Sequence, residues 1–453
     1  MRFLRTAAIG AAALPLVACF HDATLQTDSD GATTAASAAT STSSTSSTSA
    51  GASSTDTAGL TSAATATTDT GEAPPSDAVD ILLVIDNSGS MAEEQARLTD
   101  AIGALVDPLV AAGLDLRLAI ASTDRGNPVC TLPNSAPKSG DFILGSCLAR
   151  VDAGDFLFPS TPPIDAVATC ADRCALDASA LAITPTVTDL DPEPSARPWI
   201  EWGPGGKNLP EGTALIDALR CFVPQGITGC GIEGPLENTL SALTKAGTPG
   251  SANYGFLRAD ARLVVLIVSD ETDCSYDPAH ESVFVDNKVF WNSPDDTAPT
   301  SAACWRAGVA CIGDGPDYEG CAPVDLDEMG APAAAPGDAV LFPLSRYTEF
   351  LKLLALDKAA LGPDAVLPFL IAGVPPGYAG PADLAFGDGD DPAFLADFGI
   401  GPACVAAMGD AAVPSVRERV VVEGLADPTH VTSICEPDYG PALAAIAARV
   451  LGE

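Results

Sequence analysis

Asp86, Ser88 and Ser90 occupy alternate positions in Asp-Asn-Ser-Gly-Ser, directly after the apolar run from Ile81 to Ile85. One carboxylate and two hydroxyls on a single short turn are hard oxygen donors. Such a set suits a hard divalent cation, magnesium first, with calcium or manganese as alternatives. A second run, Arg262-Leu-Val-Val-Leu-Ile-Val-Ser-Asp270, also ends on a carboxylate. If both runs are strands of one parallel sheet, their ends share an edge. Asp86 and Asp270 then meet beside the two serines. Paired carboxylates repel unless a cation neutralises them. An Asp after a strand is ordinary turn chemistry on its own. Its pairing with Asp-x-Ser-x-Ser is what points to a metal.

The surrounding elements must deliver these groups. Both runs are apolar throughout and rich in β-branched residues, which reads as buried strands of a parallel sheet. After the first, the spacing of Leu98, Ile102, Leu105 and Leu109 predicts a helix from Met91 to Ala112. Pro108 is expected to bend or shorten its last turn, and Gly113 to stop it. Leu116 to Ala121 alternates like a strand. Helices are expected at 210–222 and 235–245, around the Gly-rich turn at 225–233. A helix at 345–361, a strand at 366–373, a strand at 416–422 and a helix at 439–451 follow. Strands alternating with helices give an α/β fold, a Rossmann-like doubly wound, mostly parallel sheet. Ligands of such sheets bind at the carboxyl ends of the strands. Segments at about 125–207, 275–340 and 375–412 are irregular, and the first two carry several cysteines. They read as disulfide-bearing insertions, the first with a short strand pair near Asp141–Arg150 or Phe156.

Composition sets the surroundings. With 60 acidic against 22 basic residues, the formal charge is −38. That argues against nucleic acid as a partner and is compatible with solubility and with binding cations or basic surfaces. The start, Met-Arg-Phe-Leu-Arg and then a short apolar stretch, reads as a secretory signal too short to span a membrane. Leu16-Val17-Ala18-Cys19 resembles a bacterial lipobox, which implies cleavage before Cys19 and its acylation. Phe20, with no Asp there, resembles outer-membrane sorting. Residues 20–78 are dominated by Ser, Thr, Ala and Gly and read as a disordered tether, leaving a domain at 78–452. Of 13 cysteines, the twelve other than Cys19 make an even set in an exported chain, which favours disulfides. Short loops suggest Cys221 with Cys230 and Cys304 with Cys311. With three histidines and no Cys-x-x-Cys, zinc is not indicated.

Asp86-Asn-Ser88-Gly-Ser90 followed by Met91 resembles the von Willebrand factor type A domain and its metal-ion-dependent adhesion site. The resemblance implies that Asp86, Ser88 and Ser90, a Thr from a second loop and a late strand-end Asp surround a magnesium or similar ion. Asp270 resembles the last position, although Glu271 stands where a Gly often follows. Thr228 fits the family's order of elements and is the expected Thr. Thr213, in Gly212-Thr213-Ala-Leu, is the alternative. Two more stretches, Cys221-Phe-Val-Pro-Gln-Gly-Ile-Thr-Gly-Cys-Gly-Ile-Glu233 and Phe256-Leu-Arg-Ala-Asp-Ala through Ser269-Asp-Glu-Thr-Asp-Cys-Ser275, resemble secreted type A domain lipoproteins of proteobacteria. The insertions make this an atypical member.

Three functions follow. The first is a lipid-anchored, extracytoplasmic adhesion protein whose ion is completed by an acidic group of a partner. The second is a metal-dependent hydrolase using Glu233, Glu271 or Asp273 as base. The third is an envelope scaffold with a structural metal. Ser88 as a nucleophile lacks an accompanying histidine, and no nucleotide-binding glycine motif is present. Asp388-Gly-Asp-Asp-Pro392 begins like a calcium loop, but Pro392 stands where an oxygen is needed.

Overall fold

The computed structural model describes residues 77–130, 137–160 and 162–453. Cys19 and all but the last two residues of the 20–78 tether lie outside the described residues. Seven strands form one sheet: β1 (Ala78–Ile85), β2 (Asp115–Ser122), β3 (Trp199–Gly203), β4 (Gly206–Lys207), β5 (Arg262–Val268), β6 (Val366–Ala372) and β7 (Val431–Ser433). Their order is β7-β6-β5-β1-β2-β3-β4. The strands from β7 to β2 are parallel, and β3 and β4 close that side as an antiparallel edge. The chain winds outward from β1 through β2 to β3, then crosses back to β5 and winds the other way. The order therefore reverses at β1, and ligands of open α/β sheets bind outside the carboxyl ends at such a reversal. The register runs from Val79 beside Arg262 to Ile85 beside Val268. Asp86 and Asp270 consequently leave the sheet at the same crevice.

Alternation along β1 explains the two layers of helices. Ile81, Leu83 and Ile85 face one layer, and Leu82 and Val84 the other. On the first face lie α1 (Ala92–Ala101), α2 (Gly103–Ala111), α3 (Leu215–Phe222) and, from the chain's end, Gly440–Leu451. They contribute Leu98, Leu105, Leu219, Phe222, Leu443 and Ile446. On the second face lie α4 (Pro235–Ala246), α5 (Ser345–Asp357) and α6 (Arg417–Glu423). They contribute Leu236, Leu243, Tyr347, Leu351, Val421 and Val422. Each such side chain taken from water stabilises the fold by about 1.5–3 kcal/mol.

Four expectations need correction. The 125–207 segment is not wholly an insertion, because its end supplies β3, with Trp199 and Ile200 fully buried. Of the two places expected for a strand pair, the one beside Phe156 forms it, as Leu157–Phe158 with Ile164–Asp165, while Cys147–Ala153 is helical. The Val416–Val422 stretch is helix α6. Val421 and Val422 are buried in the core on the sheet's second face, and an Arg419–Glu423 pair at i,i+4 supports the helix. The first helix breaks at Ile102, leaving Pro108 inside α2.

The fourth correction concerns disulfides. All twelve cysteines in the described residues are bonded: Cys130–Cys230, Cys147–Cys170, Cys174–Cys221, Cys274–Cys304, Cys311–Cys321 and Cys404–Cys435. Cys221 faces the main core beside α1, whereas Cys230 belongs to a separate cluster with Ile232, Tyr276 and Phe284. Neighbours in sequence are thus sent to different cores, and the short-loop pairs do not form. Cys130–Cys230 spans 100 residues and joins the segment after β2 to the loop before α4. Replacing both cysteines with Ala is expected to lower the free energy of unfolding by about 2–5 kcal/mol. Denaturant titration checks it, and an unchanged midpoint would show that other contacts hold these loops.

Candidate functional site

Asp86 is fully buried at the tip of β1. Its N–H donates to the Val268 carbonyl at 2.9 Å, which ties the ends of β1 and β5 together. Oδ1 accepts the Ser88 N–H at 2.8 Å, and Oδ2 accepts the Ser269 hydroxyl at 2.5 Å. The Ser88 and Ser90 hydroxyls are 3.2 Å apart. Asp270 meets the Ser90 hydroxyl and feels the charge of Asp86. Its Oδ1 is buried without a hydrogen-bond partner. The structure thus brings Asp86, Ser88, Ser90 and Asp270 together. Ser90 is the exposed member of this set.

Thr228 lies buried on the loop that follows α3. That loop rests on the first one, with the Gly229 N–H donating to the Asn87 carbonyl at 2.8 Å. A Cβ on Gly229 would stand 2.6 Å from the Asn87 side-chain amide, so a larger residue there must displace that amide. Thr213 is committed elsewhere, donating to the Ala180 carbonyl at 2.9 Å. The acid from the same loop that faces Asp86 is Glu233. It is fully buried, and among the described residues no close hydrogen bond satisfies either carboxylate oxygen. The buried Thr123 hydroxyl is a polar group beside it and eases the cost of a charge there. In the sequence, Glu233 reads as a nearby acid and as one of three candidate bases, not as an ion donor. Its importance comes from the Gly231-to-Gly234 turn, which points it inward at the start of α4.

Glu271 adds another buried acid, held by the Ser301 hydroxyl at 3.0 Å. Asp273 does not join them. It forms a fully buried ion pair with Arg417 at 3.0 Å and accepts from Ser275 and from the start of α4. The calcium-like acids also have structural work. Asp388 accepts from Tyr318, and Asp391 caps the Pro392–Phe398 helix. Both nitrogens of the His280 ring are engaged by Glu328 and Gly337. His430 bonds the Pro368 carbonyl and stacks on Phe369.

Electrostatics make the edge unusual. Burial lifts the carboxyls of Asp86, Asp270, Glu233 and Glu271 above their ordinary range. For the last three, the charge of Asp86 adds to the effect. Among the described residues, no Lys or Arg forms an ion pair with any of these four. Among the same residues, no group of three or more His, Cys, Asp or Glu side chains is arranged to hold a metal by itself. A cation here would therefore draw on the serine hydroxyls as well as on carboxylates. The donor set fits one, being hard oxygens with unpartnered lone pairs in a dry setting. Two insertions reach this edge. The Phe158 ring lies 3.1 Å from where a Gly89 Cβ would be, and the Val413 N–H donates to the Asp270 carbonyl at 2.8 Å.

Acids raised by burial make stability depend on pH in a definite direction. A carboxyl whose pKa is higher folded than unfolded binds more protons when folded. Its contribution is full below its ordinary value and is lost as pH rises through its folded value. Burial raises Glu94, beside this edge, from 4.5 to about 7, and Glu418, next to Arg417, from 4.5 to about 8. In chelator, the melting temperature is expected to fall from pH 4.5 towards 8. Glu233→Gln should flatten that fall by removing one buried carboxyl. A melting temperature rising across the window, followed by calorimetry, would contradict this account.

No protein-family model matches the chain, and no curated protein matches it.

Proposed function

We propose that this chain is an extracytoplasmic, membrane-anchored binding protein built on a type A domain. It recognises an acidic group of a partner through a divalent cation at the carboxyl ends of β1 and β5. The observation that carries the reading is the meeting of Asp86, Ser88, Ser90 and Asp270 at the point where the strand order reverses. Buried, unpaired carboxylate oxygens surround that point. Asp86, Ser88, Ser90 and Asp270 would hold the ion. Glu233 stands as the donor from the loop after α3 more directly than Thr228, since it faces Asp86. Magnesium is the favoured ion, with calcium or manganese as alternatives. When bound, the ion supplies an electrophilic centre that an outside carboxylate can complete.

The chain's own residues do the rest. Asp86 and Asp270 supply negative charge from a rigid sheet. Ser88 and Ser90 supply neutral oxygens on the adjoining turn. Ser90, the exposed member, marks the side from which a partner approaches. The engagement of His280 and His430 elsewhere favours recognition over a serine nucleophile. Complete pairing of the twelve cysteines supports an oxidising compartment. Cys19 is the proposed lipid anchor, with the outer membrane as the proposed site.

Magnesium at about 100 times its dissociation constant should stabilise the wild type by about 2.7 kcal/mol. Asp86→Ala should abolish that gain, and differential scanning calorimetry with and without chelator reads it. Capture of an envelope partner should occur in magnesium and be lost in chelator or with Asp86→Ala. Equal stabilisation of both proteins, or partner capture that persists in chelator, would overturn the reading.

A further inference from the structure

Gln95, on α1, is fully buried, and its side-chain amide is fully used. Nε2 donates to the Asp86 carbonyl and to the Gly226 carbonyl, each at 2.8 Å. Oε1 accepts the Gln225 N–H at 2.8 Å. Two acceptors and one donor fix which end of the amide is which. The side chain thus clamps the end of β1 to the loop carrying Thr228 and Glu233, some 130 residues away in sequence. Other contacts brace that loop. The Gln225 side chain donates to the Phe222 carbonyl, and the Ile227 N–H donates to the Asp155 carbonyl at 2.7 Å. Gly226 has φ +91°, and a Cβ there would meet the Asp155 carbonyl oxygen at 2.7 Å, so the loop has one backbone path past this point. The Gln95 backbone is held as well, its N–H by the Met91 carbonyl and its carbonyl by the Thr99 hydroxyl.

We infer that Gln95 determines the ion preference of this edge by locking the loop after β1 and the loop bearing Thr228 and Glu233 at a fixed separation. The inference rests on the divalent-cation reading above. Magnesium demands a small, near-octahedral oxygen set, whereas calcium accepts longer and more variable ligation. A site whose two loops cannot move apart favours the smaller ion, and a loosened site loses that advantage first. Gln95 touches no proposed ion donor through its side chain except the Asp86 backbone, so it acts as a positioning residue.

The test is isothermal titration of the metal-free protein with magnesium chloride and, separately, with calcium chloride. Wild type, Gln95→Met and Leu98→Ala are compared. Gln95→Met keeps the volume and removes the amide. Leu98→Ala weakens the same helix through the core and leaves the clamp intact. The expected result is a loss of about 10–100-fold in magnesium affinity for Gln95→Met, with a loss of less than about threefold for calcium. Leu98→Ala should lower the melting temperature and leave the ratio of the two affinities unchanged. If Gln95→Met does not fold, Gln95→Asn takes its place, and an intermediate fall in the ratio is expected. Ion binding with an unchanged ratio in the Gln95 variant overturns this inference alone. A wild type that binds neither ion overturns the cation reading and this inference together.

Discussion

Four carboxyl groups packed into the dry edge of a sheet cannot all stay charged without a counter-charge. Asp86, Glu233, Asp270 and Glu271 are buried together, and among the described residues none is paired with a base. Transfer of an isolated carboxylate from water into such a setting is strongly unfavourable. The edge must therefore hold protons or meet a cation. Everything else about this end of the molecule follows from which of the two it does. The parallel pairing of β1 with β5 creates the problem by ending two buried strands side by side on acids. The same pairing makes the site, because a rigid sheet presents the acids at a fixed separation.

The segments outside the sheet brace this arrangement. Cys130–Cys230 joins the segment after β2 to the loop bearing Thr228 and Glu233. Cys404–Cys435 holds the short hairpin that precedes Val413 to the chain just after β7. The buried Asp273–Arg417 pair fixes the loop after β5 to α6 and to the start of α4. Asp273 is thus one acid of this region with its own cation, and it is structural. The contrast with its unpaired neighbours is what separates a brace from a site.

Much of this was readable in the sequence because it depends on local pattern. Unbroken apolar runs gave β1, β5 and β6, and the acids that end two of them gave Asp86 and Asp270. Asp-x-Ser-x-Ser is local too. The edge strand β3 was hidden because Trp199–Gly203 is five residues long between two prolines, too short to show a period. Three consecutive valines in α6 mimicked a strand, since β-branched residues favour strands in isolation. Its fully buried Arg417 shows that tertiary contacts decided the matter. Cysteine pairing, the inward turn of Glu233 and the clamp by Gln95 all join residues remote in sequence, and one chain carries no trace of such contacts.

The central claim is that a cation, and not only protons, resolves the crowding of acids at Asp86. Anomalous diffraction from crystals soaked in manganese chloride tests it most directly. The account requires a manganese peak within coordination distance of Asp86, Ser88, Ser90 and Asp270. That peak must be absent from Asp86→Ala crystals soaked in the same way. No peak at this edge in wild-type crystals, or an unchanged one in Asp86→Ala, would contradict it.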